Sequence, residues 1–86
     1  MPEVSIPASF KRTALKKPAE LQAAIARCVE LLVDNPRHPG LRTHRMQGAA
    51  GVWEAYVDRS SRVAFHYEGE TIVLRKHCNH DILRRP

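Results

Sequence analysis

The sequence predicts an α+β domain, with helices first and an antiparallel sheet packed against them. Three observations carry this reading. Between Pro18 and Val33 the apolar residues recur at three- and four-residue steps, the spacing of one helix face. From Val52 onward the period changes to two, the spacing of strands with unlike faces. Short turn signals then divide the second part into runs of hairpin length. The chain has 86 residues, which allows one small domain with a modest core.

Glu3-Val4-Ser5-Ile6 reads as a short edge strand, ended by Pro7, which has no N–H to give a ladder. Ser9 is expected to cap a short helix from Phe10 to Lys16. Lys17-Pro18 breaks it, and Pro18 suits the first position of a longer helix reaching Val33. Leu21, Ala24, Ile25, Cys28, Leu31 and Leu32 form its apolar stripe. Glu20 in the first turn favours the positive end of the helix dipole. Cys28 falls within the stripe and is expected to be a buried, inert thiol. Asn35-Pro36 stops the helix.

Residues 35–51 read as a loop punctuated by Pro36, Pro39, Gly40, Gly48 and Gly51. It carries Arg37, His38, Arg42, His44 and Arg45. Two readings of it stand: a segment that contacts phosphates, or a solvated linker tacked to the core by Leu41 and Met46. Three strands follow, Val52 to Val57, Arg62 to Tyr67 and Thr71 to Lys76. Asp58-Arg59-Ser60-Ser61 and Glu68-Gly69 are the turns between them. In the first strand Val52, Glu54 and Tyr56 share one face and Trp53, Ala55 and Val57 the other. Alternation alone leaves open which of these is the core face, so Tyr56 is either packed or presented to a base.

The balance of 14 Lys/Arg against 9 Asp/Glu gives a net charge of +5, which points to an acidic partner, nucleic acid or protein. Residues 37–86 hold nine of the basic side chains and all five histidines, so the functional surface is expected there. There is no apolar run near the roughly 20 residues of a membrane span, and residues 1–17 lack the hydrophobic stretch of a signal peptide. Two cysteines make no disulfide framework. A cytoplasmic protein without membrane partners is the expectation.

The sequence has no Gly-rich phosphate loop, nucleophile elbow or paired-cysteine metal signature. His77, Cys78 and His80 are close together, but neighbours on an extended segment point to opposite sides, so no metal or other cofactor is expected. The basic group is more informative. Arg62, Arg75 and Lys76 lie on strands, His80 lies just beyond the last one, and Arg84 and Arg85 end the chain. Arg62 and Arg75 fall on adjacent strands and can share a face, with His44 folding over it. Arginine clamps phosphate bidentately, and lysine serves as a mobile point charge. Such a set suits RNA cleavage by the RNA's own 2′-hydroxyl. That reaction needs a base for the hydroxyl, a donor for the 5′-oxygen and positive charge on the phosphorane. Histidine can do either proton transfer at neutral pH.

The order of several short segments resembles the RelE/ParE superfamily of small toxins from bacterial toxin–antitoxin systems. They are Phe10-Lys11, Asn35-Pro36-Arg37-His38-Pro39-Gly40-Leu41, His44-Arg45-Met46-Gln47-Gly48, Gly51-Val52-Trp53-Glu54-Ala55-Tyr56-Val57, Arg62-Val63-Ala64-Phe65, the Gly69 turn, Ile72-Val73-Leu74 and His80-Asp81. The resemblance covers nearly the full length. It implies two N-terminal helices packed on a twisted antiparallel sheet of four strands or so, with residues 3–6 at an edge. It also implies a metal-independent, ribosome-dependent mRNA endoribonuclease held in check by an antitoxin. The alternatives within the superfamily are a gyrase inhibitor or a non-catalytic, antitoxin-binding member. The expected assembly is a homodimer or an antitoxin-bound hetero-oligomer. The YafQ-like branch is the most similar in its loop. It implies catalytic roles for His44, Lys76 and His80. The basic cluster, read from the residues themselves, adds Arg62, Arg75, Arg45, Arg84 and Arg85 as RNA contacts, with Tyr56 as the candidate for stacking on a base. The chain departs from that branch at Tyr56, where a histidine is usual. It departs again at Ser60-Ser61, in place of an acidic-aromatic pair, and at Leu83-Arg84, where an aromatic is common.

Overall fold

The computed structural model describes residues 3–79. Strand β1 (Val4–Ser5) leads into helices α1 (Ala8–Leu15) and α2 (Ala19–Asp34). Strands β2 (His44–Arg45), β3 (Val52–Asp58), β4 (Ser61–Glu68) and β5 (Thr71–Asn79) follow. They form one sheet in the order β1-β5-β4-β3-β2. The expected architecture is present, two N-terminal helices packed on a twisted, mainly antiparallel sheet. Two details differ from the sequence reading. Strand β1 joins β5 in parallel, and β2 adds a fifth strand within the segment read as a loop. Two residues are too few to show a period.

Both helices start directly after a proline. Pro7 is the N-cap of α1, its carbonyl accepting from the Lys11 N–H at 3.1 Å, with no side-chain cap. Ser9 is therefore inside the helix, and its carbonyl accepts from the Thr13 hydroxyl at 3.0 Å. Pro18 likewise caps α2 rather than opening it, accepting from the Gln22 N–H at 2.9 Å. Each proline has an extended ψ near 150°, which turns the chain into the helix without a capping side chain. Gln22 also donates its amide to the Leu15 and Lys17 carbonyls at 3.2 and 2.8 Å, which satisfies acceptors left at the end of α1.

Phe10, Ile25, Cys28 and Leu32 of the helices pack against Ala55, Val63, Phe65, Ile72 and Leu74 of the sheet. Leu41 enters the same core and pins the β2 approach to it. The Val, Leu, Ile and Phe side chains among them each contribute about 1.5–3 kcal/mol on burial. This packing settles the two faces of β3: Trp53, Ala55 and Val57 turn to the helices, and Val52, Glu54 and Tyr56 turn outward.

Two register shifts interrupt the central ladder. One lies between Tyr56 and Asp58 of β3, and the other leaves Arg75 as an extra residue of β5. Strict alternation would place Lys76 under the helices beside Ile72 and Leu74. The bulge at Arg75 sets Lys76 opposite Ala64 on the outer face and His77 opposite Val63 on the helix face. At the β4–β5 turn Gly69 takes φ +63°, a left-handed conformation suited to a two-residue hairpin loop.

Candidate functional site

The outer sheet face gathers most of the residues expected to act. His44, Glu54, Ala64 and Lys76 lie in register across four strands. Tyr56, Arg62 and Cys78 make the next row. Directly opposed residues of an antiparallel pair share a face, so these side chains are neighbours. Both register shifts fall beside these rows, at the end of the sheet that carries the cations.

His44 is held from two sides. Its Nδ1 lies 3.0 Å from the Arg42 carbonyl, and its Nε2 lies 3.0 Å from Glu54 Oε1. Arg42 ends a single 3-10 turn, Pro39–Leu41, in the left-handed region at φ 48° and ψ 42°. His38 stabilises that turn, its Nδ1 accepting from the Gly40 N–H at 2.9 Å. The Arg42 guanidinium lies 5.1 Å from the centre of the Tyr56 ring, and that of Arg62 lies 4.8 Å from it. Tyr56 is thus a platform for two arginines. Arg62 Nη1 also donates to the carbonyls of Asp58 and Ser61 at 2.7 and 2.8 Å. Arg75 donates to His66 Nδ1 at 3.3 Å, and His66 Nε2 then donates to Glu68 at 3.1 Å.

Of the remaining expected residues, Arg45 is described and is placed elsewhere. Arg45 faces the helix side opposite Trp53, its guanidinium 5.3 Å from the indole. Successive residues of a strand point apart, so His44 and Arg45 cannot share a site. His80, Arg84 and Arg85 lie outside the described residues. His77 and Cys78 point to opposite faces. Among the described residues, no three His, Cys, Asp or Glu side chains are grouped to hold a metal. Burial lowers the pKa of His77, Lys17 lowers it further, and Asp58 opposes them. Its Nε2 is buried without a hydrogen bond among the described residues. Burial raises the pKa of Cys78, with Lys76 pulling it down and Glu54 pushing it up. Burial pushes Cys28 up to about 12.

Two residues of the site gained no role from the sequence. Glu54 had a signal: it is a carboxylate within an apolar strand, and it is 7% exposed. Arg42 had only its place among the loop cations, because periodicity says nothing about a left-handed residue. On the helix side, Ile6, Ala14, Leu15, Ile25 and Val29 line an apolar groove of about 360 Å³. Leu15, 72% exposed, stands at it. No described helix is long and apolar enough to cross a membrane.

No protein-family model matches the sequence, and no curated protein matches it. Solved structures do match in fold. The archaeal RelE–RelB complex from Pyrococcus horikoshii OT3 contains a chain similar at TM-score 0.72 and 13% identity, covering 93% of this chain and 96% of that one. The E. coli DinJ–YafQ complex gives 0.69 and 13%, covering 99% and 100%. The YoeB/ParE toxin from Agrobacterium tumefaciens gives 0.72 and 13%, covering 91% and 98%. The chain therefore has the RelE/ParE/YafQ-type toxin fold. At these identities the similarity assigns no single branch.

Proposed function

We propose that this chain is the toxin of a toxin–antitoxin pair and cleaves ribosome-bound mRNA through attack by the RNA's own 2′-hydroxyl. The observation that carries the reading is the outer face itself. On a fold shared with such toxins, one surface collects a histidine, a lysine and clustered arginines. His80 is the leading acid or base and His44 its partner. Lys76, Arg62 and Arg75 supply positive charge to the phosphorane. Tyr56, Arg84 and Arg85 contribute to RNA binding, whereas Arg45 is set apart from this face. Histidine and cationic side chains suffice for the chemistry, so the reaction as proposed uses no cofactor. The antitoxin is the protein partner, and the apolar groove beside α1 and α2 suits an amphipathic segment of it. The site of action is the cytoplasm.

A second reading draws on the tethering of Arg62 to backbone carbonyls and of Arg75 to His66. It makes the chain a toxin-fold protein whose action is protein binding, on an antitoxin or on gyrase. One experiment separates the two. Wild type, His80→Ala and Lys76→Ala are incubated with mRNA, with and without ribosomes, and the cut ends are mapped. The ribonuclease reading expects ribosome-dependent cuts that both variants sharply reduce. Growth arrest by the wild type with intact mRNA would sink it in favour of the second.

A further inference from the structure

We infer that Glu54 is the positioning residue for His44, and that it and the Arg42 carbonyl hold His44 with a proton on both ring nitrogens, as a proton donor. The catalytic half of this inference rests on the cleavage reading; the protonation half does not.

A neutral imidazole has one N–H and one lone pair. His44 meets an acceptor on each side, the Arg42 carbonyl at Nδ1 and the Glu54 carboxylate at Nε2, both at 3.0 Å. A carbonyl cannot donate, so Nδ1 carries a hydrogen. A neutral ring would then turn its lone pair towards a carboxylate oxygen. A second proton at Nε2 converts that contact into a charge-assisted bond. The Glu54 side chain is only 9% exposed while that of His44 is 53% exposed, so the carboxylate forms the anchored end and the ring the accessible end. Among the described residues, the other charged and titratable groups on this face are Arg42 from the loop, Tyr56 on β3, Arg62, His66 and Glu68 on β4, and Arg75, Lys76 and Cys78 on β5, with Glu68 engaged by His66. Lys76 and Cys78 lie across the sheet beyond Ala64 and Arg62, so Glu54 is the anion placed against the ring.

This geometry gives His44 a direction in the proposed reaction. The 2′-hydroxyl loses its proton to a base, and its oxygen bonds to phosphorus. The bond from phosphorus to the 5′-oxygen breaks, and that oxygen takes a proton from the His44 ring. The products are a 2′,3′-cyclic phosphate and a 5′-hydroxyl. Water restores the proton to His44 and removes the one held by the base.

The full chain labelled with ¹⁵N-histidine tests the pairing at pH 7, His44→Gln assigning the ring signals. The wild type is expected to show both His44 nitrogens in the protonated range. Glu54→Gln removes the charge and keeps an acceptor, and is expected to leave one proton, on Nδ1. In single-turnover cleavage, Glu54→Gln should slow the step by about 10²-fold, the lower range for loss of a general acid, with ribosome binding unchanged. In a His44→Gln background the same change should add less than about twofold. A neutral His44 ring in the wild type, or an equal Glu54→Gln effect in both backgrounds, overturns the inference. If Glu54→Gln fails to fold, Glu54→Asp, too short to span the contact, provides the same comparison. A wild type that does not cleave defeats the ribonuclease reading alone, since the ring spectrum still decides the pairing.

Discussion

Cys28 reports whether α2 is seated on the sheet, and raising the pH puts that to the test. The thiol is 2% exposed, and burial pushes it from 9.0 to about 12. In the unfolded chain it ionises near its ordinary value. Between those two pH values the unfolded state has released a proton that the folded state keeps. Stability is therefore full below pH 9 and falls as pH rises towards 12, by about 1.4 kcal/mol per unit. From pH 9 to 11 the loss is about 2–3 kcal/mol by this linkage. The measurement is a difference between wild type and Cys28→Ala, which cancels every alkaline effect the two share. Urea unfolding at each pH gives both stabilities. The variant should be less stable at pH 8, by about 1 kcal/mol for the lost sulfur contacts. Its curve should cross that of the wild type before pH 11. A difference that stays constant from pH 8 to 11 would refute the reasoning, since Cys28 would then titrate as if exposed. A second readout is alkylation at pH 8 in a Cys78→Ser background. The native protein should react about 10³-fold more slowly than the unfolded chain, from thiolate fraction alone.

Three further outcomes follow from the packing and the site. Leu32→Ala removes a fully buried α2 side chain and should cost about 2–5 kcal/mol in urea unfolding, with little change in m-value. Arg42→Gly relieves a left-handed residue and removes a cation from Tyr56. Stability should change by less than about 1 kcal/mol because the two terms oppose, while the salt slope of RNA binding falls by about 1. His77 titrates in the opposite sense to Cys28. Its folded pKa lies below 6.5, so stability present above that value is lost as pH falls through the folded pKa. Thermal unfolding from pH 7 to 4.5 should show a steeper loss in wild type than in His77→Leu, with parallel curves as the contrary result.

The sequence made the helices, the meander and the edge strand legible because each has a period or a punctuating proline. Cys28, Ile25 and Leu32 were placed in the core by spacing alone. What it did not show was local and geometric. The N-caps shifted because Pro7 and Pro18 already hold the chain extended, which makes a serine cap unnecessary. Strand β2 was hidden because two residues carry no period. The face of Lys76 could not be read from alternation, since nothing in Leu74-Arg75-Lys76-His77 marks Arg75 as the bulged residue. The pairing of His44 with Glu54 depends on that hidden strand, so it too needed the fold.

The tethering of Arg62 bears on both functional readings, and its chemistry favours RNA more than it first suggests. A guanidinium has five N–H donors, and the Asp58 and Ser61 carbonyls take only two of them through Nη1. The same contacts, with Tyr56 beneath, restrict a side chain that would otherwise lose rotamer freedom on meeting a phosphate. Carbonyl oxygens, unlike a carboxylate, carry no full charge to neutralise it. Arg62 is thus oriented while its positive charge is retained, which is the condition for a preorganised phosphate contact. Arg75 differs. Its partner His66 is hydrogen-bonded to Glu68, so an anion nearby tempers its charge. Of the two arginines, Arg62 should therefore carry more of the binding to a phosphodiester. Arg75 is also the extra residue whose bulge brings Lys76 to the same face.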